Sequence, residues 1–177
     1  AGESFREAWG HALRRAVALS PDYPEPPLDL GLLLAQTGRL EEAAGVAQLE
    51  LARRASPRAY NNLGIALLKA GRPGEARPNL EAAVALAPMD AGIRLNLGLC
   101  YLELGLWGQA QARLESASFD PALRPAALEG LGELALGRGQ KARALGFFEL
   151  ALEADPRRWE AVKRVVRLQV GLGRERE

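Results

Sequence analysis

Large apolar residues recur along the chain at helical spacing, and a glycine interrupts them at regular intervals. Tyr60, Leu63 and Leu67 fall at i, i+3 and i+7, which places them on one face of an α-helix, and Gly64 follows Leu63. The Leu-Gly pair returns every 33 or 34 residues, at Leu30-Gly31, Leu63-Gly64, Leu97-Gly98 and Leu131-Gly132. A period of this length predicts one helical hairpin copied along an all-α chain.

A second helix with small and large residues in alternation completes each copy. Ala76, Leu80 and Ala83 form the first clear example, and the same order returns at Ala110, Leu114, Ala117 and at Ala144, Phe148, Ala151. Turn glycines separate the two helices of each copy: Gly38, Gly71, Gly105 and Gly139. Because glycine inside a helix costs about 1 kcal/mol relative to alanine, the repeated helical glycines indicate close helix packing.

This pattern resembles the tetratricopeptide repeat (TPR), a motif of about 34 residues. Residues 57–90 match it most fully, with Tyr60, Leu63-Gly64, Leu67, Ala76, Leu80, Ala83 and Pro88. The resemblance implies a right-handed α-solenoid of antiparallel helix pairs, here with about ten helices. It also implies a non-enzymatic scaffold whose concave groove binds a peptide segment or helix of a partner protein.

The repeats divide the whole chain, residues 1–177, into one array. Its parts are an isolated second helix at 3–21, an irregular repeat at 24–56, full repeats at 57–90, 91–124 and 125–158, and a capping helix at 159–171. In the irregular repeat, Ala47 takes the large position and Glu50 the small one, so we expect a second helix in a shifted register. In the capping helix, we expect Trp159, Val162, Val165 and Val166 to face inward.

The resemblance also implies which residues line the groove, because the family's first helices carry the groove-facing positions. On this sequence the candidate residues are Arg58, Asn61, Asn62, Ile65, Leu68, Lys69, Leu95, Asn96, Leu99, Leu102, Glu129, Glu133, Lys163, Arg164 and Arg167. Glu103 and Ala126 occupy further positions of the same kind.

Asn62 and Asn96 share one repeat position, although asparagine is unfavourable within helices. Either their amides hold the main chain of a bound peptide, as in proteins of this family, or they bond to a neighbouring helix. Lys163, Arg164 and Arg167 form a basic stripe that is either a solvated face, a contact for an acidic ligand, or a docking face for a following domain.

Composition excludes several other classes of protein. The net charge is +1 and the pI is about 8.2, which gives no electrostatic footprint for nucleic acid. The single cysteine, Cys100, and the single histidine, His11, offer neither a triad nor a metal site, so we expect no cofactor. No apolar run has the length of a membrane span. Twenty arginines and three lysines suggest a bacterial source, and we expect a cytoplasmic protein, or a periplasmic or anchored one if the sequence continues upstream.

Two other functions stay open at this point. Phe5, Trp9 and Leu13 lie on a helix without its partner, which favours self-association or a segment cut from a longer chain. Alternatively, the array is the docking or regulatory part of a larger enzyme.

Overall fold

The computed structural model describes residue 15 and residues 25–173, with side chains for residue 15 and residues 30–173. These residues form nine α-helices: α1 (Glu25–Gln36), α2 (Leu40–Arg53), α3 (Pro57–Lys69), α4 (Pro73–Leu86), α5 (Ala91–Glu103), α6 (Trp107–Ala117), α7 (Arg124–Gly137), α8 (Lys141–Ala154) and α9 (Trp159–Gly171). The all-α class is confirmed. The helix expected at 3–21, with Phe5, Trp9, His11 and Leu13, lies outside the described residues except for residue 15.

The chain divides into two compact units, residues 1–89 and residues 90–177. In the first unit, α1 packs on α2, α2 on α3 and α3 on α4, and α1 also touches α3. In the second unit each helix from α5 to α9 packs on the next, and α5 also touches α7. Within each unit the helices are therefore consecutive pairs whose first members are neighbours, as the repeat pattern predicts.

The turn glycines adopt the left-handed conformation that the sequence predicts. Gly38, Gly71, Gly105 and Gly139 have φ angles of 79°, 70°, 69° and 73°. At the end of α3, the Arg72 N–H donates to the Leu67 carbonyl and the Gly71 N–H donates to the Leu68 carbonyl, both at 2.9 Å. These two bonds close the helix and turn the chain into α4.

A large side chain from the second helix of the same repeat packs against each of three helical glycines. A Cβ on Gly64 would stand 2.5 Å from Leu80 Cγ, and one on Gly132 would stand 2.7 Å from Phe148 Cζ. Gly98 is approached in the same way by Leu114, at 3.0 Å. The three large residues are fully buried, so the close packing inferred from the glycines is confirmed.

The irregular first repeat keeps the register of the others. Ala43, Ala47 and Glu50 are the buried residues of α2, and they are the residues at the expected small, large and small positions. The shifted register predicted from the sequence is therefore wrong. Ala47 is too short to reach Gly31, so Val46 supplies the contact instead. Its Cγ1 lies 3.5 Å from the position that a Cβ on Gly31 would occupy.

Glu50 places a carboxyl group where the other repeats have alanine. The residue is 3% exposed, and its Oε1 has no hydrogen-bond partner among the described residues. Arg53 Nη1 lies 3.8 Å from that oxygen. Burial raises the pKa of Glu50, and the charge of Arg53 opposes this only in part.

Gly64→Ala should lower the free energy of unfolding by about 1–3 kcal/mol, because the added methyl group collides with the buried Leu80 side chain. Gly45→Ala is the matched control, since a Cβ there meets no atom within 4 Å. It should raise stability by about 0.5–1 kcal/mol through helix propensity alone. Urea unfolding followed by circular dichroism measures both, and a shift in the same direction for the two variants would contradict the packing role.

Glu50→Gln should raise the free energy of unfolding at pH 7 by about 1 kcal/mol, because it removes a buried charge. The raised pKa means that the folded state holds the proton more tightly than the unfolded chain. The stabilising contribution of Glu50 is thus complete below about pH 4.3, the unfolded value, and is lost as the pH rises through the folded pKa.

The gain from Glu50→Gln should therefore be present at pH 7 and vanish near pH 4, in thermal unfolding recorded across this range. Glu41→Gln, at an exposed position of the same helix, should show no such gain at pH 7. A gain for Glu50→Gln that is independent of pH would disprove the charge effect.

Candidate peptide-binding groove

An open groove with a cavity volume of ≈ 260 Å³ lies in the second unit. Most of its lining comes from the first helices of successive repeats, α5, α7 and α9. The lining residues are Leu99, Leu102, Glu103, Ala126, Glu129, Gly130, Glu133, Phe148, Arg158, Glu160, Ala161 and Arg164.

The groove combines an apolar wall with a floor of small residues. Leu99 and Leu102 supply partly buried aliphatic surface from α5, and the small residues Ala126, Gly130 and Ala161 also line the groove. Its volume is below the roughly 300–1,000 Å³ typical of small-molecule sites. The groove therefore has the dimensions for one or two side chains of a larger ligand.

Two ion pairs cross the groove from α7 to the α9 region. The Arg158 guanidinium donates to both carboxylate oxygens of Glu129, with 2.9 Å between Nε and Oε1. This hydrogen bond raises the pKa of Arg158 above its usual value. Arg164 Nε lies 2.7 Å from Glu133 Oε1. The negative charges of Glu129 and Glu133 on α7 are thus neutralised by Arg158, just before α9, and by Arg164 on α9.

Two models of one protein family, both described as tetratricopeptide repeat, match residues 10–60 and 67–131, which together cover more than half of the sequence. The chain is a tetratricopeptide repeat protein. TPR arrays are scaffolds typical of protein–protein interaction, usually without catalytic activity, so the family implies protein partners.

Solved structures of other TPR proteins share the fold. A thermophilic TPR protein of Thermus thermophilus has a TM-score of 0.78 and 24% identity, over 96% of this chain and 93% of that one. MamA of Desulfovibrio magneticus has a TM-score of 0.71 and 26% identity, over 86% and 87%.

YrrB, a TPR protein with an unusual peptide-binding site, has a TM-score of 0.69 and 20% identity, over 92% of this chain and 84% of that one. A search of curated proteins found no significant match.

The second unit of the TPR protein brings together five of its nine sequence-predicted groove residues: Leu99, Leu102, Glu129, Glu133 and Arg164. Leu95 is only 7% exposed, so it belongs to the core and offers little surface to a ligand. Asn96, on the same helix, is partly buried. Lys163 and Arg167 lie on the exposed surface of α9 and do not line the groove.

The first unit carries the remaining candidates, all on α3: Arg58, Asn61, Asn62, Ile65, Leu68 and Lys69. Asn62 is 9% exposed, and it already takes part in an interaction within the protein, as do Arg58, Asn61 and Asn96. Burial leaves the Asn62 amide little surface for a ligand. Ile65 and Leu68 are partly exposed, and Lys69 is exposed.

The inward face of α9 differs from the prediction. Ala161 and Leu168 are the buried residues, and Val165 packs beside them against Phe148 and its neighbours. Trp159 is 67% exposed and Val166 is also exposed, so the expectation that they face inward is wrong. The physical reason is helical phase, because 161, 165 and 168 share one face and Trp159 and Val166 lie on another.

Sequence reasoning did not place Phe148, Glu160 and Ala161 in the groove, and it noted Arg158 only as a flanking residue. One signal for Arg158 was present, because it lies 29 residues after Glu129, close to one repeat length. Arg158 directly precedes α9, and Glu129 lies on α7, the preceding first helix. The small side chain of Ala161 gave no such signal.

The described residues contain no group of His, Cys, Asp or Glu suited to a metal ion. Within the same residues, no helix has the length and apolar character that crossing a membrane requires. Cys100 is fully buried, as expected for a small hydrophobic residue in a repeat helix.

Arg158→Ala should loosen α9, because it removes the bidentate link to Glu129 and leaves a partly buried carboxylate without its partner. Hydrogen exchange of the α9 amides should become about fivefold faster, corresponding to about 1 kcal/mol. Arg157→Ala is the matched control, since the side chain of Arg157 is 95% exposed. Equal exchange rates in the two variants would rule out this role for the ion pair.

Proposed function

We propose that this protein is a non-enzymatic TPR scaffold that binds an extended or helical segment of a partner protein in the groove between α5, α7 and α9. The observation that carries the proposal is the groove itself. It is built mostly from the first helices of the second unit, and seven residues expected at ligand-facing positions line it.

The energetic basis of binding would be apolar. Leu99 and Leu102 present aliphatic surface that a partner side chain would cover. Burial of apolar surface contributes about 25 cal/mol per Å², so one well-seated aliphatic side chain supplies roughly 1.5–3 kcal/mol. Binding should therefore persist at moderate salt.

Polar groups around the groove would orient the segment. The Glu129–Arg158 and Glu133–Arg164 pairs carry balanced charge, so they offer hydrogen bonds without a strong preference for one sign of charge. The peptide-binding site of YrrB supports the same class of ligand, since that protein shares the fold.

Leu102→Gln should weaken binding about tenfold, because it replaces the aliphatic wall of the groove with an amide. The probe is an array of short synthetic peptides screened with the labelled protein, followed by calorimetry on the peptides that bind. Leu150→Gln is the matched control, because Leu150 is a partly exposed leucine on α8 outside the groove lining.

The control variant should bind as the wild type does. Two results would overturn the proposed function: an array on which no peptide binds, or an equal loss of affinity in both variants. Circular dichroism of each variant checks that the fold is kept.

A further inference from the structure

We infer that the segment bound in this groove carries a lysine or arginine beside an aliphatic side chain, and that Glu103 receives its positive charge. This inference rests on the proposed function and names the chemistry of the partner. It follows from the position of Glu103, from the charges around it and from the end of the helix on which it lies.

Glu103 lines the groove next to the apolar wall. It is the last residue of α5, one residue after Leu102 and four after Leu99, and its side chain is exposed. A ligand side chain on the two leucines would therefore place its neighbour within reach of the carboxylate. The groove thus offers one aliphatic contact and one negative charge side by side.

The other charges of the groove are already matched. Glu129 pairs with Arg158, Glu133 with Arg164, and Glu160 with Lys163. Among the described residues, Glu103 forms no ion pair. It is consequently the source of surplus charge in the groove, and a cation is the complementary ligand group.

Helix stability does not account for a glutamate at this position. The C-terminal end of a helix is the negative end of its dipole, where a carboxylate is unfavourable. The corresponding residue of α3 is Lys69, which has the favourable sign. In α5 the dipole and the carboxylate add to one negative region at the mouth of the groove, which favours a bound cation.

The test uses an array of peptides with one leucine and one varied neighbour in a Gly-Ser background. Wild-type protein should retain peptides with Lys or Arg at the varied position about fivefold more strongly than those with Glu. Glu103→Lys should reverse this order, and it reproduces the residue found at the end of α3. Glu149→Lys makes the same change of net charge at an exposed position of α8 outside the groove, and should keep the wild-type order.

The outcomes separate this inference from the proposed function. If peptides bind and Leu102→Gln abolishes their binding, but Lys and Glu peptides are retained equally, the inference is wrong and groove binding stands. The inference is also wrong if Glu103→Lys leaves the preference for Lys and Arg peptides unchanged. It is equally wrong if Glu149→Lys reverses that preference as strongly as Glu103→Lys does. If Leu102→Gln has no effect on any peptide, the proposed function fails as well.

Discussion

In three repeats, the contact between a glycine on the first helix and a large side chain on the second helix governs the packing. Leu80, Leu114 and Phe148 each press into the space that a Cβ would fill on Gly64, Gly98 or Gly132. A larger residue in place of the glycine would hold the helices apart and weaken dispersion contacts all along the pair. The repeat length seen in the sequence is thus the spacing between successive contacts of this kind.

The groove depends on the same packing. Leu114 reaches not only Gly98 but also Gly130 on α7, where a Cβ would stand 2.9 Å away. The packing of Leu114 therefore requires a small residue at Gly130, which also lines the groove. A surface for a ligand arises here from residues selected for packing, and the ion pairs from α7 toward α9 then fix its far side.

The sequence was sufficient for features that depend on local geometry. The turn glycines, the paired helices and the burial of Cys100 follow from spacing and residue size, and the structure agrees. Predictions that depended on a neighbouring helix were less successful. Leu95 is buried, although the sequence placed it among the groove-facing candidates, because exposure is decided by what packs beside it. Glu50 keeps the common register at the cost of a buried carboxyl, which residue size alone did not indicate.

Val166 limits how far the repeats are interchangeable. It stands on α9 at the place that Gly132 occupies on α7, one repeat later, and its side chain is exposed. Consider a second helix packed against α9 in the way that α8 packs against α7. It would meet the branched side chain of Val166 at the position where Phe148 contacts Gly132 in the preceding repeat. Such a helix would need alanine or glycine at that point. If α9 replaced α7 in a rearranged array, Val166 would therefore collide with the large side chain of the second helix. By contrast, α3, α5 and α7 each have a glycine at this position and can pack against such a side chain.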